Sequence, residues 1–361
     1  MNRRHFLTSM AGAGLALPVL HGRAFAQLAR ASEVAGPRGA GLLADDEAYW
    51  SEIQRAFDTD RTMINLNNGG CSPAPTHVLD QMIRDLRFSN ELPVDHMWRV
   101  LEPRIESVRR DLAREFGCDP EEMAITRNAS ESNLTMILGT DLARGDEVIV
   151  TTQNYPRMLS GWAQREARDG VVVKRLRVPA PLPSDRYLVD RIAEAITPRT
   201  RAIEVMHVNN QTSYVSPVRE VVALGNAHGI PVFVDGAHAF AHFPFTRDEL
   251  GCDYYGTSLH KWLLAPIGTG FLYVRRERIP SLWPLMAGAE QRMRHDIRKY
   301  EEIGTHPAAN HNAISVALAF HRAIGVERKA ARLRFLRDRW ATRLVAADPG
   351  RVQMLAGVGP G

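Results

Sequence analysis

Two ionisable residues stand where charge is costly. Asp235 closes an apolar run over residues 230–234, a pattern that predicts a buried strand. Lys261 lies in Leu-His-Lys-Trp-Leu-Leu-Ala-Pro, with apolar side chains before and after it. Burial lowers a lysine pKa, because the charged form loses its water. A neutral amine near pH 7 adds to a carbonyl and forms a Schiff base. A buried carboxylate needs a cationic partner or several hydrogen bonds. One cofactor uses both groups: pyridoxal 5'-phosphate (PLP) takes a lysine on its aldehyde carbon and an acid beside its ring nitrogen, so that the ring can draw off electrons. Either residue alone is an ordinary find. An acid at a strand end followed by Ser258-x-His260-Lys261 and a glycine-rich turn is a specific constellation.

The elements that must position these groups follow from the pattern. Apolar runs predict strands over 123–126, 147–151, 171–178, 201–208, 231–235, 253–257 and 268–275. Helical periodicity alternates with them over 45–58, 76–89, 96–117, 133–142, 185–196, 218–229, 312–324 and 326–347, with a possible bend or late start at Pro103. Residues 27–44 are rich in Ala and Gly and predict a flexible lead-in. A short apolar strand is expected before the turn Asn67-Asn68-Gly69-Gly70. Strands alternating with helices predict a mainly parallel sheet with helices on both faces, and ligands then sit beyond the carboxyl ends of the strands. Asp235 and the Ala129-Ser130 turn fall at such ends. A strand, a polar turn and a helix start around Ser130 form an anion site from backbone N–H groups and a hydroxyl, although Ser and Asn are ordinary N-caps as well.

The segments VDGAHA and TSLHKWLLAPIGTGFLYV resemble the class V branch of the fold-type I PLP enzymes, which includes cysteine desulfurases, selenocysteine lyases, kynureninases and isopenicillin N epimerase. The likeness is strongest to the epimerase-like members and runs from about residue 65 to about residue 320. It implies the fold-type I α/β architecture: a mainly parallel seven-stranded sheet whose last strand is antiparallel, and a small C-terminal domain, here only partial. It implies that Lys261 holds PLP, that Asp235 pairs with the ring nitrogen, and that Ala129, Ser130, Ser258 and His260 bind the phosphate. Tyr155 falls at the ring-stacking position, unless it only caps a loop. Asn210 falls where an asparagine contacts the cofactor's phenolic oxygen, with Asn209 and Gln211 open as substrate contacts or caps. His238 replaces a glutamine of the desulfurases and is a second contact or a proton carrier; the alternative is a histidine satisfied in the core. Gly304-Thr305 resembles the pair that crosses a homodimer interface to the neighbouring cofactor. The arginine that usually binds a substrate carboxylate belongs to the small domain, and Arg99, Arg157 and Arg292 are the substitutes this chain offers.

Composition sets limits. The chain has 361 residues, 45% hydrophobic and 24% charged, ordinary values for a globular protein. Cys71, Cys118 and Cys252 make no disulfide or zinc framework, and no metal is expected. All three also fall too early for the mobile cysteine of a desulfurase. Residues 1–26 carry Arg3-Arg4, an apolar stretch and Ala24-Phe25-Ala26, the pattern of a twin-arginine export signal cleaved after Ala26. That predicts a periplasmic protein handled by the twin-arginine machinery. Without Arg3, Arg4 and Arg23 the net charge falls from +4 to +1, which gives no electrostatic case for nucleic acid or an anionic membrane. The expected layout is the signal at 1–26, a lead-in and helix at 27–60, a PLP-binding large domain at 61–305, and the start of a small C-terminal domain, expected to be truncated, at 306–361. The expected activity is PLP chemistry at the α-carbon of an amino acid, epimerase-like. The alternatives are a transaminase, a desulfurase-type lyase, or a PLP-binding module without turnover. Lys261, Asp235 and His238 are the catalytic candidates.

Overall fold

The computed structural model describes residues 22–287 and 291–355, so residues 1–21 of the expected signal lie outside the described residues. In chain order the elements are α1 (Gly22–Ala35), α2 (Ala40–Leu43), α3 (Glu47–Gln54), α4 (Thr76–Glu91), a π-helical stretch (Val94–Leu101), α5 (Glu102–Phe116), β1 (Met123–Thr126), α6 (Ala129–Gly139), β2 (Glu147–Thr151), α7 (Pro156–Asp169), β3 (Val172–Leu176), α8 (Asp185–Ala195), β4 (Thr200–Met206), α9 (Val218–Ala227), β5 (Val232–Asp235), α10 (Arg247–Leu250), β6 (Tyr254–Ser258), β7 (Gly270–Val274), α11 (Ala308–Ile324) and α12 (Val326–Ala347), with short 3-10 turns between some of them. The seven strands form one sheet in the order β1-β7-β6-β5-β4-β2-β3. Only β7 runs against the rest, antiparallel to both β1 and β6. The other pairs are parallel.

Strand alternation divides the core into two layers. Ile203, Val205, Val232, Val234, Phe271 and Tyr273 face α5, α8, α9 and α11. Ala202, Phe233, Leu272 and Val274 face the other way, onto Met136 and Ile137 of α6 and Met158 and Trp162 of α7. Both faces of the sheet are covered, which is why its strands read as continuous apolar runs. The expected boundary at residue 306 falls just before α11, whose Ala313, Ile314 and Ala317 belong to the first of these layers.

Three expectations are corrected and one is met. The lead-in over 27–44 is largely helical rather than flexible: Ala31, Ala35 and Leu43 are buried against Phe320 and Ile324, small side chains one helical turn apart permitting close approach. Among the described residues no strand forms before Asn67. Met63, Ile64 and Leu66 are 74%, 85% and 92% exposed, apolar residues with no sheet edge to pair with. The late start expected at Pro103 is what forms: a π-helical stretch ends at Leu101 and Pro103 occupies the first turn of α5, the one place in a helix where its missing N–H costs nothing. Finally, α6 begins at Ala129 and not at 133, capped by Asn128, whose side chain accepts from the Glu131 N–H at 2.9 Å. The helix α7 carries no counterpart in the sequence reading.

The start of α6 lies directly on β6 and β7. A Cβ on Gly256 would stand 2.2 Å from Asn133 Oδ1 and 2.8 Å from Ser132 Cβ, and one on Gly270 would stand 2.8 Å from the Asn128 Cα. Glycine there is a requirement of contact. Gly256→Ala is expected to cost about 2 kcal/mol by overpacking, read as a lower urea midpoint at unchanged m-value.

Candidate functional site

Five elements end at one cavity of about 190 Å³. β5 delivers Asp235 as its last residue and β6 delivers Ser258 as its last. The turn after β1 supplies Ala129 and Ser130, the turn after β2 supplies Tyr155, and the loop after β4 supplies Asn210. His238, His260 and Lys261 complete the set. Nine of the ten cofactor-binding residues expected from the sequence therefore line one cavity at the carboxyl ends of the parallel strands. Thr305 does not: it is exposed and outside the lining. Asn133, Met158, Met206 and Val208 also line the cavity and were not foreseen.

Asp235 is 5% exposed. Its Oδ1 accepts the Ala237 N–H at 3.0 Å. Burial pushes its carboxyl above the ordinary carboxylate range, opposed by the Ala237 N–H, Asn133 and Lys261. Burial also pulls the Lys261 amine below its ordinary value, opposed chiefly by Asp235 and then by Cys71. Lys261 Nζ lies 2.9 Å from His238 Nε2, with the amine donating when the imidazole carries its proton on Nδ1. Burial pulls His238 down to about 3, helped by Lys261, so the imidazole is neutral near pH 7. His238 therefore contacts the catalytic lysine candidate and is not merely a satisfied core residue. His242 is held away from the cavity, its Nδ1 2.9 Å from the His238 carbonyl and its ring stacked 3.7 Å from Trp262.

The opposite end of the cavity is built for an anion. The Ala129 N–H donates to Ser258 Oγ at 2.9 Å, which ties β6 to the first turn of α6 and leaves the hydroxyl proton to point elsewhere. His260 Nδ1 lies 3.1 Å from the Thr269 carbonyl, which leaves Nε2 for the cavity. These groups sit at the α6 N-terminus, where unpaired N–H groups and the helix dipole favour negative charge. Among the described residues Lys261 is the one Lys or Arg lining the cavity. Arg99 pairs with Asp95 at 3.0 Å, Arg157 is exposed, and the Arg292 side chain lies outside the described residues. Asn209 is a turn residue: its Oδ1 accepts from the Gln211 and Thr212 N–H groups at 2.8 and 3.0 Å. Asn210 is the one of the pair that lines the cavity.

PLP needs an amine, an acid, an anion cradle and a wall that leaves space, and the cavity supplies each. The Ser130 and Ser258 hydroxyls and the polar Asn133 and Asn210 stand in the same lining as that acid and amine. Among the described residues no group of three or more His, Cys, Asp or Glu is placed to hold a metal ion.

A mainly parallel seven-stranded sheet with an amine and an acid at its strand ends is the fold-type I PLP architecture. The chain belongs to the aminotransferase class-V family, whose family model matches residues 64–354, and it is a PLP-dependent enzyme of that family. It is similar to the isopenicillin N epimerase of Streptomyces clavuligerus, 30% identical over 84% of this chain and 80% of the relative. It is also similar to a probable cysteine desulfurase of Halobacterium salinarum, 29% identical over 76% of this chain and 69% of the relative. Its fold matches a C-DES variant solved with glycine covalently linked to its PLP cofactor, at a TM-score of 0.70 and 23% identity, covering 78% of this chain and 77% of that one.

One buried acid beneath the site has a measurable signature. Glu204 of β4 is 3% exposed, accepts from Trp162 Nε1, and leaves Oε1 buried without a partner. Burial pushes it up to about 8. A folded-state pKa above the unfolded one contributes stability at low pH that is lost as pH rises to the folded value. Glu204→Gln removes that loss. The variant is expected to gain stability over the wild type progressively from about pH 5 to about pH 8, reaching about 2–4 kcal/mol, by urea unfolding at several pH values.

Proposed function

We propose that this enzyme epimerises the α-carbon of an amino acid or amino-acid-like substrate. The carrying observation is the 2.9 Å contact between Lys261 Nζ and His238 Nε2, above a buried Asp235. The relative named isopenicillin N epimerase supports the same reading. When bound, PLP supplies the electron sink that makes an α-proton acidic. The Asp235 carboxylate would hold the ring nitrogen protonated. The α6 N-terminus, Ser130, Ser258 and His260 would hold the phosphate, and Tyr155 would stand beside the ring. Asn210 would donate to the phenolic oxygen. The Lys261 amine takes the α-proton as general base, its basicity moderated by burial. His238 shares that proton through Nε2 and orients the amine. Because His238 is engaged on the Lys261 side, the Tyr155 hydroxyl is assigned the return of a proton to the other face.

Relatives named cysteine desulfurase make lyase chemistry the second reading. The deciding experiment follows the α-proton by NMR in heavy water across a panel of amino acids. Exchange with racemised amino acid supports epimerisation. Conversion to keto acid, alanine or sulfide overturns it in favour of a transaminase or lyase. Absence of any chemistry would favour a PLP-binding module.

Lys261→Ala is expected to abolish the absorption of the lysine–PLP Schiff base and all turnover; retained turnover contradicts the assignment. Asp235→Asn is expected to fold, and to lose about 100-fold or more in kcat, measured by steady-state kinetics.

The reading extends to assembly and address. Exposed Thr305 and the exposed Met63, Ile64 and Leu66 support a homodimer in which Thr305 reaches the neighbouring site. Light scattering at micromolar concentration tests it, a monomer being the contrary result. The Arg3-Arg4 signal supports periplasmic export, with cleavage after Ala26. Replacing both arginines with lysine is expected to retain the protein in the cytoplasm, scored by cell fractionation; unchanged export contradicts it.

A further inference from the structure

The turn that carries Lys261 is strained and is held from outside. Leu264 has φ of +65°, the left-handed region that an L side chain enters only at a steric cost. Strain of that kind persists only where the surroundings over-determine the backbone. Several contacts do so here. The Ser72 N–H donates to the His260 carbonyl at 2.9 Å. The Trp262 ring stacks on His242. Leu264 packs against the apolar cluster that contains Tyr49, Phe320 and Ile324.

A further contact comes from α12. Lys329 is 8% exposed, an unusual place for an ammonium. Its Nζ donates to the Trp262 carbonyl, the peptide oxygen next to Lys261, and lies 3.1 Å from His321 Nδ1. His321 is 2% exposed, and its Nε2 lies 3.6 Å from Glu115 of α5. Glu115 in turn accepts from Arg322 Nε at 2.8 Å. A polar chain thus runs from the half-buried Glu115 through two buried side chains to the backbone beside the catalytic lysine.

We propose that Lys329 is a positioning residue for Lys261, latching the strained turn over 261–265 to α12 through the Trp262 carbonyl. It touches neither substrate nor cofactor. Without it, Trp262 O loses its buried donor and the turn can relax, which shifts the Lys261 amine relative to Asp235 and His238. The inference rests on Lys261 being the working amine.

The test compares Lys329→Met, which keeps length and removes the donor, with Lys329→Arg, which keeps a donor. Three quantities are read: hydrogen exchange of residues 259–265 in the PLP-free protein, visible circular dichroism of the PLP-loaded protein, and steady-state kinetics. Lys329→Met is expected to exchange faster across 259–265, to change the dichroism of bound PLP, and to lower kcat by about tenfold or more with a smaller change in KM, as displacement of a reacting group does. Lys329→Arg is expected to restore most of each. Wild-type exchange, dichroism and kcat in Lys329→Met overturn the proposal. Equal damage in the arginine variant also overturns it, because bulk and not donation would then be at work. Should Lys329→Met fail to fold, Glu115→Gln loosens the same chain from its outer end, and unchanged exchange across 259–265 there counts against the latch. Lys261→Ala, run in parallel, separates the two claims: turnover surviving in that variant contradicts the role of the amine, while the exchange result still decides the latch.

Discussion

Everything at this site depends on placing an acid and an amine together out of water. Asp235 and Lys261 each lose hydration; the acid is compensated by the Ala237 N–H, then Asn133 and Lys261, and the amine chiefly by Asp235. Burial alone would neutralise both, raising the acid and lowering the base. Their mutual attraction, with the Ala237 N–H and Asn133 on the acid's side, opposes that drift. Removing water from such a pair costs several kcal/mol per ion before the partner is counted. The rest of the molecule supplies the two-layered core that tolerates this cost.

The topology then decides what stands around the pair. Parallel strands point their carboxyl ends the same way, so β5, β6 and the turn after β1 arrive together although they lie far apart in sequence. Their alignment is tight because Gly256 and Gly270 leave no Cβ between β6–β7 and the α6 N-terminus. The Ala129 N–H to Ser258 Oγ bond fixes the same junction. The anion end is thereby rigid. The amine end is different: it rides on a turn with Leu264 in a left-handed conformation, braced by side chains from α3, α11 and α12. Rigidity on one side and an externally braced turn on the other place the ligand and still let the lysine be set by its surroundings.

Most strands were legible, since strands buried on both faces make continuous apolar runs, and β1 and β2 have the bounds expected of them. The chemistry-bearing residues were legible because a charged residue in an apolar run announces itself, as Asp235 and Lys261 do. The same signal was present at Glu204, inside Ala-Ile-Glu-Val-Met, and at Lys329 it was hidden in a charged helix that gives no sign of its buried side. α7 was missed although Pro156 opens it, Gly170 closes it at φ +73°, and Met158, Leu159 and Trp162 form an apolar stripe at helical spacing. The start of α6 was placed late because Ser132 and Asn133, polar in sequence, are buried: Ser132 Oγ donates to the Phe271 carbonyl at 2.9 Å. The strand expected before Asn67 failed for the opposite reason, apolar residues standing where no neighbouring strand exists. Asn133 and Met158 join the site only through tertiary packing, which no local pattern reports.

The central claim is that Lys261 is the residue that holds the cofactor. Reducing the PLP-loaded protein with borohydride, digesting it and mapping the peptides by mass spectrometry tests this directly. A pyridoxyl group on Lys261, and on no other lysine, is the predicted result. A label on a different lysine, or no label in a protein that retains its PLP, would contradict the account.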